Sequence, residues 1–358
     1  MKEKINIINI LIPIVAVLLA FLVGAILILC VGKNPILSYS FLLKGAFGNS
    51  AAVGETLVKA TPLAFTGLCT VFAYRCGMIN LGGEGQFIIG SVGTAWFALT
   101  MTSLPPLIVI IGSLIFGTLT GALWGAIPGF LKAYKGTNEM IVSILLNYVA
   151  TLFMSFLYCG PMKEAEIPQT AAVSDAVKLP KIQAGSRVHV GIFIVILASL
   201  LIYYFLYKTH KGYELRAVGF NPTASLVNGF PVKRLMAMSL VVSGAIAGLG
   251  GGTELLGHAY RLQAGYASGF GFDGVAIALI AQLDPVATVV VAYLFAVLRC
   301  GSNTMQVMSG IPTAIVDIIK GTIILFAVSG AAIVQMPELA QLLHKKKNSR
   351  QSKGGVRA

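Results

Sequence analysis

The sequence predicts an all-α, polytopic integral membrane protein of about ten transmembrane helices, with an inverted-repeat organisation and broken helices. Three observations carry this. Of 358 residues, 56% are hydrophobic and only 11% charged, against roughly 25% charged in an average soluble domain, and mean hydropathy is +0.85. The apolar residues fall into runs of span length joined by polar connectors. Glycine-rich breaks recur at corresponding places in the two halves. The net charge of +13 sits in connectors and the C-terminal tail, where it sets orientation, so no nucleic-acid partner is expected.

In chain order, Lys2 and Lys4 precede an apolar run, Ile5–Val31, too long for a cleaved leader and read as a retained first span. Lys33–Val53 is an external loop and Thr56–Tyr74 the second span, with Pro62 near its start. Arg75–Gln86 is the first glycine break, and Phe87–Met101 a rather short third span. Pro105 and Pro106 open a fourth that runs to about Leu131, with Lys132 and Lys135 at its cytoplasmic end. Glu139–Cys159 is the fifth, Gly160–His189 the longest external segment, and Val190–Tyr207 the sixth.

Lys208–Arg234 is polar and basic, a cytoplasmic connector. Inside it a short helix is written in caps: Asn221 as N-cap, Pro222 at the first helical position, and Gly229 for a left-handed stop. A plain linker needs no caps; a rigid docking helix, Pro222–Asn228, does. Leu235–Leu256 follows, with Gly244, Gly248 and Gly252 on one face for close packing in lipid. Phe272–Leu283, Pro285–Arg299 and Ile311–Val328 complete the spans. Treating the first two as separate returns the basic tail to the cytoplasm, so both termini lie inside. The domain plan is therefore a transmembrane domain over 1–335 and a basic cytoplasmic tail over 336–358. The second to fifth spans and the seventh to tenth enter from opposite sides, each group broken after its first member, at Gly82–Gly85 and Gly265–Gly274. Such opposed groups are the usual build of an alternating-access transporter.

Chemistry is sparse. There is no G-x-x-x-x-G-K-[ST] phosphate loop, no Ser–His–Asp or Cys–His arrangement and no pair of carboxylates at useful spacing. The five cysteines and four histidines are scattered without ligand spacing. No catalytic residue, metal or cofactor is expected. The polar residues near the breaks stand out instead: Asn80, Gly83, Glu84 and Gln86 around the first, Asn147 in the middle of the fifth span, Asp273 at the start of the eighth. Broken helices in a membrane are tolerated where they are buried or line an aqueous cavity, so these residues are candidates for the path of a polar solute. Helix capping by Glu84 and Asp273, a pairing of Glu84 with nearby Arg75, and an interhelical tie through Asn147 are the structural alternatives.

Several stretches together resemble the permease subunits of bacterial ABC importers for ribose-type sugars, branched-chain amino acids and nucleosides. They are GMINLGGEGQFIIGS at Gly77–Ser91, GTNEMIVSILLNY at Gly136–Tyr148, GYELRAVGFNPTASLVNGFPVKR at Gly212–Arg234, SGAIAGLGGGTELLG at Ser243–Gly257 and GFGFDGVAIALIAQLDPV at Gly269–Val286. The second and last are most similar to the nucleoside-importing branch. The resemblance implies a purine-nucleoside substrate, with a simple sugar such as ribose as the alternative. It implies a separate ABC ATPase, a second permease (homologous chain or second copy) and an extracytoplasmic substrate-binding lipoprotein, all at the plasma membrane. It also implies that Glu214, Arg216, Asn221, Pro222, Thr223, Ala224, Asn228 and Gly229 form the coupling surface for the ATPase. Asn228 and Phe230 depart from the usual pattern there, and Gln282 stands where a glycine is more usual. A stand-alone secondary carrier is the reading from another class; such carriers commonly place acids within their spans.

Overall fold

The computed structural model of the chain describes residues 7–164, 166–182, 187–266 and 269–335. The tail expected over 336–358 lies outside them. Two compact units emerge, Met1–Tyr39 with Met305–Ala358, and Ser40–Thr304. In the first, α1 (Ile7–Cys30) packs on α13 (Ala314–Gln335). Gly24 of α1 leaves room for Ile319, whose Cγ1 a Cβ there would approach to 2.6 Å. The Tyr39 hydroxyl, on the first turns of α2 (Pro35–Phe47), donates to the Phe21 carbonyl at 2.6 Å.

The second unit holds α3 (Ser50–Tyr74), α4 (Gly83–Thr100), α5 (Pro106–Lys135), α6 (Glu139–Cys159), α7 (Gly191–Lys208), α8 (His210–Phe220), α9 (Pro222–Val227), α10 (Val232–Glu254), α11 (Phe270–Ile280) and most of α12 (Pro285–Ser309). Their ends follow local chemistry. Asn49 caps α3 by accepting from the Ala52 N–H at 2.7 Å, and Asn138 caps α6 by accepting from Met140 and Ile141. Pro106 starts α5, and Gly136 closes it at φ +70°. At its far end α10 runs on into a π turn, Leu255–Ala259.

The protein is an all-α, polytopic membrane protein. Among the described residues six helices are long and apolar enough to cross a bilayer, namely α3, α5, α6, α7, α10 with its π turn, and α12. A seventh is counted if α1 from Val15 and α2, bent by 118°, form one span. The ten-span expectation also counts α4 and α11, which follow the two glycine breaks. Here α11 has only 11 residues, and α4 is buried on nearly all sides from Gly83 to Ala95. Both are largely interior helices, with Trp96 of α4 and Phe272 of α11 left exposed.

The core of the unit is α10, packed along α5 and against α3 and α4. The stripe read at Gly244, Gly248 and Gly252 is its contact face. A Cβ at Gly244 would come within 3.1 Å of the Gly125 Cα, and one at Gly121 within 2.7 Å of the Gly248 Cα. Backbones therefore touch, which is how helices gain dispersion energy where lipid removes the hydrophobic drive.

Beyond the N-terminal end of α7, residues 166–182 fold back over the end of α10. The Thr170, Val173 and Leu179 N–H groups donate to the carbonyls of Leu262, Tyr260 and Leu256 at 3.0, 2.9 and 2.9 Å. Burial pulls the pKa of His189 down to about 4, so its ring is neutral and Nδ1 accepts from the Gly191 N–H at 3.1 Å.

Candidate functional site

The capped connector folds as its residues dictate. Asn221 accepts from the Ala224 N–H at 3.0 Å, Pro222 is the first residue of α9, and Gly229 ends the turn at φ +79°. The helix closes one residue earlier than expected, at Val227, and Asn228 donates from its amide side chain back to the Ala224 carbonyl at 2.8 Å. Asn228 thus acts as part of the C-terminal cap, a use for the residue that departs from the usual pattern.

The connector also contains α8, which the sequence reading missed because its charges hid a cap at Thr209, whose hydroxyl accepts from the Gly212 N–H at 3.1 Å. On α8, Glu214 is buried, ion-paired with Lys211 at 2.9 Å and 3.0 Å from His210 Nδ1. Arg216 donates to the Leu206 carbonyl at 2.9 Å and lies over the Tyr207 ring. Arg216 therefore holds α8 to α7, while Glu214 braces the first turn of α8 from within; Thr223 and Ala224 are exposed. Between α8 and α9 lies a groove of about 520 Å³ bordered by Tyr213, Phe220, Ala224, Asn228 and Phe230. Phe220 and Val227 beside it are 84% and 85% exposed.

The two glycine breaks meet. The Glu84 carboxylate, in the first turn of α4, accepts from the Gly269 N–H at 2.8 Å and from the Gly271 N–H, at the N-terminus of α11. A Cβ on Gly271 would sit 2.6 Å from the Glu84 Cα, so the two helix starts are in backbone contact. Arg75 does not pair with Glu84. It donates through Nε to the Leu283 carbonyl at 3.0 Å and through Nη2 to the Gln282 carbonyl at 3.4 Å, at the other end of α11. The physical reason is the dipole of that short helix, which offers free N–H groups to the acid at one end and free carbonyls to the base at the other. Residues 75–84 thus clamp α11 end to end. The clamp is joined to the connector, since Arg75 and Arg216 both lie against one ring, Tyr207, at 5.5 and 5.0 Å. A Cβ on Gly219 of α8 would fall 3.0 Å from the Arg75 carbonyl carbon.

The remaining predicted residues surround this junction. Asn80 donates to Gln86 Oε1 at 2.9 Å and to Ser243 Oγ at 2.7 Å, and accepts from the Gly82 N–H at 2.8 Å. Gln86 is 1% exposed, enclosed in that network with Cys69. Asn147 accepts from the Gly85 N–H and donates to the Leu81 carbonyl, both at 2.8 Å, tying α6 to the break. Gly83 has ordinary room, with Cys69 Sγ 3.6 Å from a Cβ; the tight glycines are Gly85, Gly271 and Gly274. Asp273 is part-exposed and ion-paired with Arg299 at 3.6 Å, and Arg299 also lies over the Phe270 ring at 4.4 Å. The structure therefore brings Asn80, Glu84, Gln86 and Asn147 together in a closed junction, with Asp273 at its edge. Arg299 was missed because it was read as the end of a span. In fact α12 continues to Ser309, and an arginine inside so long an apolar helix was the available signal.

Gln282 has φ +53° and Leu283 +58°, in the left-handed region. That explains why a glycine is more usual at 282. Left-handed strain of about 1 kcal/mol outweighs the extra freedom glycine gives the unfolded chain, roughly 0.5 kcal/mol. On the backbone strain alone, Gln282→Gly is expected to raise the thermal midpoint of the detergent-solubilised protein by about 1 °C. A lower midpoint would show that the glutamine side chain has a role of its own.

Residues 52–328 match the family described as "Branched-chain amino acid transport system / permease component". The chain is 37% identical over 331 residues to the guanosine ABC transporter permease protein NupP of Bacillus subtilis, covering 91% of this chain and 94% of that one. It is 35% identical to the nucleoside ABC transporter permease protein NupB of Lactococcus lactis, over 92% and 94% of the two chains. It is 32% identical to the glucose ABC transporter permease protein TsgB13 of Haloferax volcanii, over 88% and 86%. No solved structure matches the chain. With the family match covering most of its length and these relatives aligned nearly end to end, the chain belongs to the branched-chain amino acid transport system permease family.

Proposed function

We propose that this protein is the membrane-spanning permease subunit of an ATP-driven ABC importer that carries nucleosides, purine nucleosides foremost, into the cell. The observation that carries the reading is its 37% identity, over 91% of its length, to a guanosine permease. ATP hydrolysis belongs to a separate ATPase, which grips α9 and the groove beside it. A second permease faces this one, and a lipid-anchored binding protein delivers the nucleoside on the side away from α9. The basic residues at Lys132, Lys135, Lys208, Lys211, Lys233 and Arg234 support a cytoplasmic position for α9, and with it both termini inside. In this reading Asn80, Gly83, Glu84, Gln86, Asn147 and Asp273 form a closed gate on the solute path, and the clamped α11 is the piece that moves. α3–α4 and α10–α11 are then the corresponding broken arms of an inverted repeat.

The glucose permease among its relatives favours a sugar as the second reading. One experiment decides between them. Cells lacking the gene are expected to lose uptake of labelled guanosine while keeping that of ribose and leucine. Loss of ribose uptake alone would transfer the assignment to sugars, and unchanged uptake of all three would remove the nucleoside reading.

A further inference from the structure

A cavity of about 490 Å³ opens beside the π turn, at the end of α7 opposite α9. Its size lies in the roughly 300–1,000 Å³ range of small-molecule sites. Lys59 of α3, Glu254, His258, Tyr260, Gln263 and Tyr266 line it, with the exposed Lys181 and Arg187 at its rim. The π turn follows Glu254 directly and puts Tyr260 at φ +63°. Such single π turns are frequent at functional sites.

Of the cations here, Lys59 and Arg187 are engaged. Lys59 Nζ is 2.9 Å from His258 Nε2 and 3.7 Å from Glu254 Oε1, and Arg187 is 3.6 Å from Glu55. The unmet capacity is an acceptor. Glu254 has a side chain only 3% exposed, and its Oε2 is buried without a hydrogen-bond partner among the described residues. A buried carboxylate oxygen without a donor is costly, and a ligand that brings hydroxyl donors recovers that cost. The floor of the cavity leads to the junction of the broken helices. Tyr266 donates to the Gly251 carbonyl at 3.0 Å, and its ring packs on Phe87 of α4, which in turn packs on Phe270 of α11.

We propose that this cavity is a solute subsite that takes up a ribonucleoside, the ribose hydroxyls donating to Glu254 and the base lying against Tyr260 or Tyr266. It builds on the nucleoside reading above and assigns the place where the solute first rests, one layer above the Glu84 junction. Because Lys59 and Arg187 already have anionic or imidazole partners, the subsite suits a neutral polyhydroxylated solute over an anion.

The test uses the whole transporter, with its ATPase, permease partner and binding protein, in sealed vesicles. Two probes are compared, guanosine and dideoxyguanosine, which lacks the ribose hydroxyl pair. Glu254→Gln is expected to reduce guanosine uptake about tenfold, the size of one lost charge-assisted hydrogen bond, and to leave the much slower dideoxyguanosine uptake within about twofold. In parallel, Gln263→Cys is expected to be alkylated by a water-soluble thiol reagent, above the wild-type background, and to be protected by guanosine. An unchanged guanosine preference in Glu254→Gln together with unprotected Gln263→Cys overturns the subsite. If Glu254→Gln does not assemble, the protection measurement decides alone. Failure of the wild-type transporter to take up guanosine at all would instead strike the nucleoside reading.

Discussion

Replacing Glu84 with alanine is expected to abolish uptake and to destabilise the junction of the broken helices by about 3–5 kcal/mol. The carboxylate is the partner of two backbone N–H groups, those of Gly269 and Gly271, at a helix start buried away from water. Each such charge-assisted bond is worth about 1.5–3 kcal/mol, and removing the acceptor leaves both donors unsatisfied. Lipid cannot replace it. Nor can a neighbour move in, because α4 and α11 are already in backbone contact at Gly271. Glu84→Gln keeps one acceptor oxygen but turns an N–H₂ group toward an amide donor, so it should fall between alanine and wild type. Arg75→Ala acts on the other end of the same helix, where the carbonyls of Gln282 and Leu283 are nearer the surface and water is at hand. Its cost should be about 1–2 kcal/mol. The measurements are thermal midpoints in detergent and guanosine uptake in cells. A wild-type midpoint in Glu84→Ala would show that the two breaks do not depend on each other.

That junction shows where sequence reading reached and where it stopped. The helices with caps were legible one at a time, since Asn221, Pro222 and Gly229 act on their own neighbours within the chain. The close-packed face of α10 was legible too, because Gly244, Gly248 and Gly252 repeat at the period of a helix. Local periodicity cannot say what a charged residue beside a break reaches for. Arg75 and Glu84 are near each other in sequence, which suggested an ion pair; the ends of α11, about two hundred residues away, compete for both. Likewise Asn80 and Gln86 read as polar candidates for the path of a solute. In the fold they meet Ser243 and Cys69 from α10 and α3 and are enclosed. Glu254 passed as one polar residue in a small-residue stretch, and only the π turn and the missing donor set it apart.

Thr223→Glu should reduce nucleoside transport by about two orders of magnitude while leaving the protein folded and in the membrane, if α9 is the helix an ATPase grips. The substitution separates coupling from folding by its position. Thr223 is the second residue of α9, where a negative side chain favours the helix dipole by about 0.3–1 kcal/mol. The residue is exposed, and the caps use Asn221, Asn228 and backbone atoms, none of which it touches. What glutamate does disturb is the outer surface, built of small groups at Thr223 and Ala224 beside the groove bordered by Tyr213, Phe220 and Phe230. Enclosing an unpaired carboxylate against a protein partner costs several kcal/mol, and about 2.7 kcal/mol already equals a hundredfold. Ala224→Arg is expected to act alike, with a small penalty from placing a base near a helix start. Asn221→Ala should give a milder loss, since a missing N-cap costs about 1 kcal/mol and lets α9 fray without altering its face. The measurement is ATP hydrolysis by the reconstituted complex, with and without nucleoside-loaded binding protein. Stimulation in Thr223→Glu should fall to the unstimulated rate, while permease yield and thermal midpoint match wild type. Normal stimulation in both Thr223→Glu and Ala224→Arg would take the coupling role away from α9. The exposed pair Phe220 and Val227 would then need another partner.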